Sequence, residues 1–400
     1  MEALLELLVS TSTSAATETA TDDRLELLLA DFLACERAGQ SRYDAAVFKR
    51  DGVAGTAALL ALRSSAVDLD DVDWHSLHHP GSVVWPVVIA LAMQSGMAGE
   101  PLGRAARAGY TTAATIADSL GATHRAVWHV TATAGALGAA SAASVMLDLP
   151  SSGHARALAL AAANVGGLAL AARERRGAAG FNRAAAATLG LMAARGASAG
   201  ADAVATSFDG PGGLFQVMSG VGGSGELRVR GGVPDASVRL YPVSGFLQSA
   251  VASIATLRTQ VGGDLRGVRI GLAEGTRSLV DGETGGPWWD ARLSALRAWA
   301  GGSPFLAGTP GSLDSLVEHV EVYGTDLPPG FSDVTVTTDA GEGSITAAPP
   351  PSLSDPNALV ALREKWTIVL EVDGRQVQEM AHGALTDREF EAEFRETLLP

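Results

Sequence analysis

Apolar residues recur at three- and four-residue spacing through the first half of the chain, the repeat that turns one face of an α-helix toward a core. Leu25, Leu28, Leu29, Phe32 and Leu33 predict a helix over 24–38 that ends near Gly39. The same spacing predicts helices over 53–67, 83–97, 102–120, 128–147, 154–176 and 181–195. Residues 10–23, rich in Ser, Thr and Ala, read as a mobile lead-in. Small residues also fall at helical spacing, as in Ala134, Gly138 and Ala142, and they predict helix axes that approach closely. No alternating pattern precedes residue 225, so this half reads as an all-helical layer.

The pattern then changes. Residues 226–230 alternate, and strands are expected over 237–241, 268–273, 320–323 and 334–338. Helices are expected between them over 246–259, 288–300 and 312–319. Pro349-Pro350-Pro351 ends this region, and helical spacing returns over 355–372 and 386–399. The expected fold is mainly α with an α+β insert. Residues 1–228 and 350–400 would build a large helical domain, the last segment docking back on the first, and 229–349 a smaller α+β domain.

Composition narrows the function. Apolar residues make up 47% of the chain and charged ones 18%, enough to bury a large core. The net charge of −15 argues against nucleic-acid binding, which needs a cationic surface. A single cysteine, Cys35, excludes a disulfide framework within the chain and an iron–sulfur cluster held by several of its cysteines. The N-terminus lacks the basic region of a secretory signal, and the most apolar run, 83–97, is too short to span a bilayer and contains Pro86. A cytoplasmic protein without a membrane partner is expected.

Chemistry concentrates at 67–81. Asp68, Asp70, Asp71 and Asp73 stand with His75, His78 and His79, and acids and imidazoles at this density tune one another's proton affinity. His79-Pro80-Gly81 predicts a turn before a buried helix. A solvated, capped loop would read the same way. His129 is a second candidate: at the start of a small-residue helix, the positive helix end favours its neutral form, the form competent as a general base. Arg175, Arg176 and Arg183 around Asn182, and Arg239 before Tyr241, offer guanidinium groups suited to carboxylates. Asp71, His75 and His79 share i, i+4, i+8 spacing, which would put three metal ligands on one helix face, but Pro80 opposes a helix there. No metal and no cofactor are expected. The runs 210–213 and 220–223 are glycine-rich but lack the strand, helix and lysine of a phosphate loop.

Several short motifs stand in order along the chain: Asp31-Phe32-Leu33-Ala34-Cys35 with Ala38-Gly39, Asp68-Leu69-Asp70-Asp71 and His79-Pro80-Gly81. Ala108-Gly109-Tyr110, Trp128-His129-Val130-Thr131 with Gly135 and Gly138, Ala186-Ala187 with Gly190, and Arg239-Leu240-Tyr241-Pro242 follow. Taken together, these motifs resemble the MmgE/PrpD family, which includes 2-methylcitrate dehydratase, cis-aconitate decarboxylase and iminodisuccinate epimerase. The resemblance spans about 25–370. It implies a helical domain made from both chain ends, an inserted α+β domain, and a homodimer with the active site between domains.

By matching position, His79 and His129 correspond to the family's two active-site histidines and the group from Asp70 to Asp73 to its acidic cluster. Arg239 falls where the family has a lysine. The chain departs from the pattern at Ala179 and Asn182, where the family commonly has lysine and then histidine, with Arg176 one turn earlier as a substitute cation. It departs again at Thr115 and at Ser244-Gly245.

The resemblance implies a cofactor-independent lyase, foremost a dehydratase of a hydroxy-polycarboxylate. His129 would take the α-proton, and His79, oriented by Asp70 or Asp71, would protonate the leaving hydroxyl; the two roles are interchangeable on sequence alone. Asp73, Asn182, Arg176, Arg183, Arg239 and Tyr241 are the expected substrate contacts. Decarboxylation and epimerisation of a related carboxylate use the same kind of site. A lapsed member acting as a binding protein and a metal hydrolase on Asp71, His75 and His79 are the readings from other classes.

Overall fold

The computed structural model describes residues 3–17, 23–48, 51–173, 178–219, 226–282, 289–301, 311–350, 353 and 358–386. The chain divides into two compact units, 1–236 with 375–400, and 237–374.

The larger unit begins with α1 (Ala3–Thr17), α2 (Asp23–Gly39), the one-turn α3 (Ala45–Phe48) and α4 (Gly52–Ser65). Part of the expected lead-in is therefore helix: α1 buries Leu5, Leu8, Val9 and Ser12, and the Ser12 and Ser141 hydroxyls are hydrogen-bonded at 2.5 Å. A Ser/Thr-rich segment can hold a helix when one face is apolar enough to pack. The short strand β1 (Asp71–Asp73) follows, inside the stretch expected to hold no strand. Three residues are too few for alternation to show.

Next come α5 (Gly81–Ser95), α6 (Glu100–Arg125), α7 (Val130–Met146) and α8 (Ser151–Ala162). The expected helix 154–176 breaks at Gly166-Gly167, where Gly167 takes φ +97°, and resumes as α9 (Ala169–Arg173). Then follow α10 (Ala178–Ser198) and α11 (Leu214–Met218). Residues 226–230, which alternate in sequence, form no strand.

The centre of this unit is α7, buried almost from end to end and packed on α5, α6, α8 and α10. The approach is close because the contacts are glycines. A Cβ on Gly138 would lie 2.7 Å from the Gly109 carbonyl oxygen of α6, and one on Gly190 of α10 would lie 2.4 Å from Ala139 Cβ.

The boundary strand β2 (Ala236–Val238) leads into the smaller unit. Here α12 (Gln248–Val261), β3 (Leu265–Ala273), α13 (Glu274–Arg277) and α14 (Ala291–Gly301) precede β4 (Val320–Thr325), β5 (Ser332–Thr338) and β6 (Glu342–Ala347). The sheet order is β4-β3-β5-β6, with β3 and β4 parallel and the other pairs antiparallel. Ile270 stands opposite Val322 on one side and Val334 on the other, all buried, and α12 packs on β5 and β6. Two details differ from expectation. Residues 311–319 wind as a 3-10 helix, and β6 was not foreseen because its Gly, Ser and Thr residues alternate only between exposed and half-buried. α15 (Ala358–Glu364) passes into a π-helical turn, Lys365–Val369.

The chain returns to the larger unit as α16 (Gly374–Thr386), where Arg37 reaches Gln376 at 2.9 Å and His382 reaches Glu26 at 2.8 Å. The expected helix 386–399 lies outside the described residues beyond Thr386. The architecture is mainly α with a small mixed sheet. Among the described residues no helix is long and apolar enough to cross a membrane.

Candidate active site

The acid–histidine stretch folds as a strand and a tight turn, not as a helix. Asp73 builds the turn. Its carboxylate accepts from the backbone N–H of His75 at 2.8 Å and of Ser76 at 3.3 Å and from the Ser76 hydroxyl at 2.9 Å. Ser76 Oγ is in turn 2.7 Å from His78 Nδ1. Asp73 and His78 are buried, and burial lowers the proton affinity of the His78 ring. Both side chains are thus engaged inside the turn. His75 points away to Asp118 at 2.9 Å with about half its side chain exposed, so Asp71, His75 and His79 do not converge.

Asp71 and His79 belong together. Both Asp71 carboxylate oxygens lie 3.0 Å from Gly81 N, the first residue of α5, and Tyr110 Oη donates to Oδ2 at 2.9 Å. A carboxyl at a helix N-terminus is favourably placed. Burial nevertheless pushes Asp71 up to about 8, with Asp70 adding to the rise and the Tyr110 and Gly81 hydrogen bonds only partly offsetting it. At neutral pH the group is therefore largely the neutral acid. The Asp71 backbone carbonyl lies 2.6 Å from His79 Nδ1. Only an Nδ1–H satisfies that oxygen, so a neutral His79 ring carries its lone pair on Nε2. The His79 backbone N–H donates to Thr131 Oγ1 at 3.2 Å, tying the turn to α7.

His129 stands just before α7 and is 8% exposed. Its backbone N–H donates to the Gly167 carbonyl at 2.9 Å, and Ala169 N–H donates back to the Val127 carbonyl at 2.9 Å. The glycine pair that broke the expected helix is thus what lets 167–169 run beside 127–129. Asn182 Nδ2 is 3.3 Å from His129 Nδ1 and 3.4 Å from the Leu168 carbonyl. Burial, assisted by the positive charge of Arg183 and only partly opposed by Asp70, drives His129 down to about 3, so its ring is neutral.

Asp70 and Arg183 join the two histidines. Arg183 Nη1 is 3.0 Å from Asp70 Oδ2, which is 4.0 Å from His79 Nδ1, and both partners are buried. Arg183 Nε is buried and meets no acceptor among the described residues.

The larger unit thus brings together His79, His129, Asp70, Asp71, Asn182 and Arg183. Arg176 and its neighbour Arg175 lie outside the described residues. Arg239 and Tyr241 belong to the smaller unit, where Arg239 is buried and burial, with help from the Glu364 carboxylate, pushes the Tyr241 phenol up to about 12. Ser244 caps a 3-10 turn in the same unit, accepting from Phe246 N at 3.4 Å.

Tyr110, Thr131 and Gly167 were not among the expected site residues. Tyr110 and Thr131 stood in the motifs of the resemblance without an assigned role, and Gly167 carried a local signal, two adjacent glycines within an apparent helix. Exposed apolar side chains rim this region: Val127, Leu168, Leu170 and Phe181.

Residues 48–224, which contain every one of the converging residues, match the model of the MmgE/PrpD N-terminal domain. No curated protein matches the chain.

Proposed function

The chain belongs to the MmgE/PrpD family, and from that premise we propose that it is a cofactor-independent lyase that removes a proton next to a carboxylate. The observation that carries this reading is the pair of histidines around the buried Asp70–Arg183 ion pair. Each ring is held through Nδ1, His79 by a carbonyl acceptor and His129 by an amide donor.

The geometry favours His79, and not His129, as the base. A base needs a lone pair and an affinity for the proton it takes. The Nδ1 lone pair of His129 faces Asn182, and the ring is held at about 3, so it is a poor base. His79, with Nδ1–H on the Asp71 carbonyl, has its lone pair on Nε2 and the Asp70 carboxylate close enough to stabilise the imidazolium it becomes. In the dehydration, His79 Nε2 takes the α-proton and the C–H electrons pass into an enolate-like carboxylate. His79 then returns its proton to the leaving β-hydroxyl, the C–O bond breaks, a C=C bond forms and water departs. His129 donates a hydrogen bond from neutral Nε2–H, as neutral histidine does to developing oxyanions. Arg183 adds positive charge and an Nε–H that has no protein acceptor among the described residues.

The substrate class is a hydroxy-polycarboxylate, with Arg183 as its contact in the larger unit. Asp73, engaged in its turn, drops out of the expected contacts. Decarboxylation or epimerisation would use the same proton acceptor. Ala179, where the family commonly has a lysine, favours a substrate other than 2-methylcitrate. Family membership also supports a cytoplasmic homodimer.

The test is deuterium exchange. The protein is incubated in D₂O with a panel of hydroxy- and unsaturated di- and tricarboxylates and followed by mass and proton NMR. Exchange, water loss or carbon dioxide loss is expected with at least one of them, reduced about 10²–10⁴-fold in His79→Gln. Turnover that survives His79→Gln unchanged would overturn the role of His79. Silence across the panel, with the fold intact, would favour the lapsed binding protein.

A further inference from the structure

We propose that Asn182 is a positioning residue that holds His129 in its Nε2–H tautomer, making His129 a hydrogen-bond donor to the reacting carboxylate. The tautomer stands on geometry alone; the donor role rests on the lyase reading above.

The Asn182 amide faces two groups at once, the His129 ring at 3.3 Å and the Leu168 carbonyl at 3.4 Å. A carbonyl oxygen only accepts, so the amide must present its NH₂ there; the flipped amide would set oxygen against oxygen. The second N–H then points to His129 Nδ1, which must accept it. A neutral imidazole that accepts at one nitrogen carries its hydrogen on the other.

The surroundings fix this arrangement. The paired hydrogen bonds between 127–129 and 167–169 hold the Leu168 carbonyl in register with the ring. Gly167 makes room: a Cβ there would lie 2.7 Å from Ala132 Cβ and 3.3 Å from Asn182 Cγ. The adjacent Arg183 and the burial of the ring both oppose a second proton, so the neutral state persists.

Among the described residues no protein group partners Nε2, so its hydrogen is available to a ligand. A residue serving only to pack the helix start would not need a donor aimed at Nδ1. The element of choice is therefore asparagine and not aspartate, which would accept from Nδ1–H and reverse the ring.

The test reads the ring directly. Protein labelled with ¹⁵N-histidine is studied by long-range proton–nitrogen correlation between pH 6 and 8, with His129 assigned by the signal lost in His129→Gln. The wild type should show the Nε2–H pattern without titrating. Asn182→Asp should move the hydrogen to Nδ1 and raise the ring's titration, and Asn182→Ala should give a mixture of tautomers. His124 and His154, buried elsewhere in the unit, should keep their signals and so report an intact fold.

An Nδ1–H pattern in the wild type, or an unchanged ring in Asn182→Asp, would overturn the proposal. With a substrate in hand, Asn182→Asp should lower kcat on the order of 10²-fold, the usual cost of losing an oxyanion donor, with little change in KM. A flipped tautomer with unchanged kcat would remove the donor role and leave the tautomer assignment standing. The NMR result holds whether or not any carboxylate in the panel is turned over.

Discussion

At the residue scale, the Asp71 side chain supports the turn that carries His79. It is buried, it receives Tyr110 Oη and Gly81 N–H, and its own carbonyl orients His79. Tyr110→Phe removes one donor from a buried carboxyl and leaves the other contacts in place. The expected loss of stability is about 1–3 kcal/mol, the cost of an unmet buried polar group, read as a lower urea midpoint with an unchanged slope. An unchanged midpoint would show that the phenol adds nothing to that carboxyl. That Asp71 and His79 lie close together was legible from their crowding in 67–81. Which acid does what was not. Asp73 finds partners two and three residues away, whereas Asp71 waits for Gly81 ten residues on and Tyr110 thirty-nine on. Roles set by such distant partners cannot be read from local spacing.

At the element scale, α7 is an axis around which four helices pack, with close approaches at Gly109, Gly138 and Gly190. The recurrence of Ala134, Gly138 and Ala142 announced this, because a small-residue stripe is the sequence form of a close helix crossing. The break between α8 and α9 was hidden by the same composition, since an alanine-rich run keeps helical spacing on both sides of Gly166-Gly167. α10 sets Asn182 and Arg183 into the site, so the depth at which α10 seats on α7 governs the geometry there. Gly190→Ala would place a methyl 2.4 Å from Ala139 Cβ and 2.6 Å from the Ala136 carbonyl oxygen. Overpacking of this kind is expected to cost about 1–3 kcal/mol and to lower the melting temperature. Gly166→Ala, where nothing lies within 4 Å of the new Cβ, is the matched control and should melt close to wild type. Equal melting of the two variants would show that α10 can move outward without loss.

At the scale of the whole molecule, the larger unit carries buried groups whose proton linkages oppose one another. Burial lowers His129 to about 3 and His124 and His154 to about 4, from 6.5. The unfolded chain therefore takes up protons near pH 6.5 that the native state refuses, and acid below that value favours unfolding. Burial raises Glu36 to about 7, partly offset by Arg63, and Asp71 to about 8, from 4.5 and 3.8. The native state keeps those two protons after the unfolded chain has released them, so raising the pH from about 4 toward 8 also favours unfolding. Between about 4.5 and 6.5 these three histidines, joined by the buried His78, outweigh the two carboxyls and stability climbs with pH. Above 6.5 only the carboxyls act, and stability declines until Asp71 ionises. Urea unfolding followed by the helical circular dichroism signal should therefore give a midpoint that peaks near pH 6.5 and falls on both sides. A midpoint still rising at pH 8 would show that Glu36 and Asp71 are ionised in the folded protein. Asp71 would then be a second charge beside Asp70, and the ion pair with Arg183 could no longer leave this part of the site near neutrality for an incoming carboxylate.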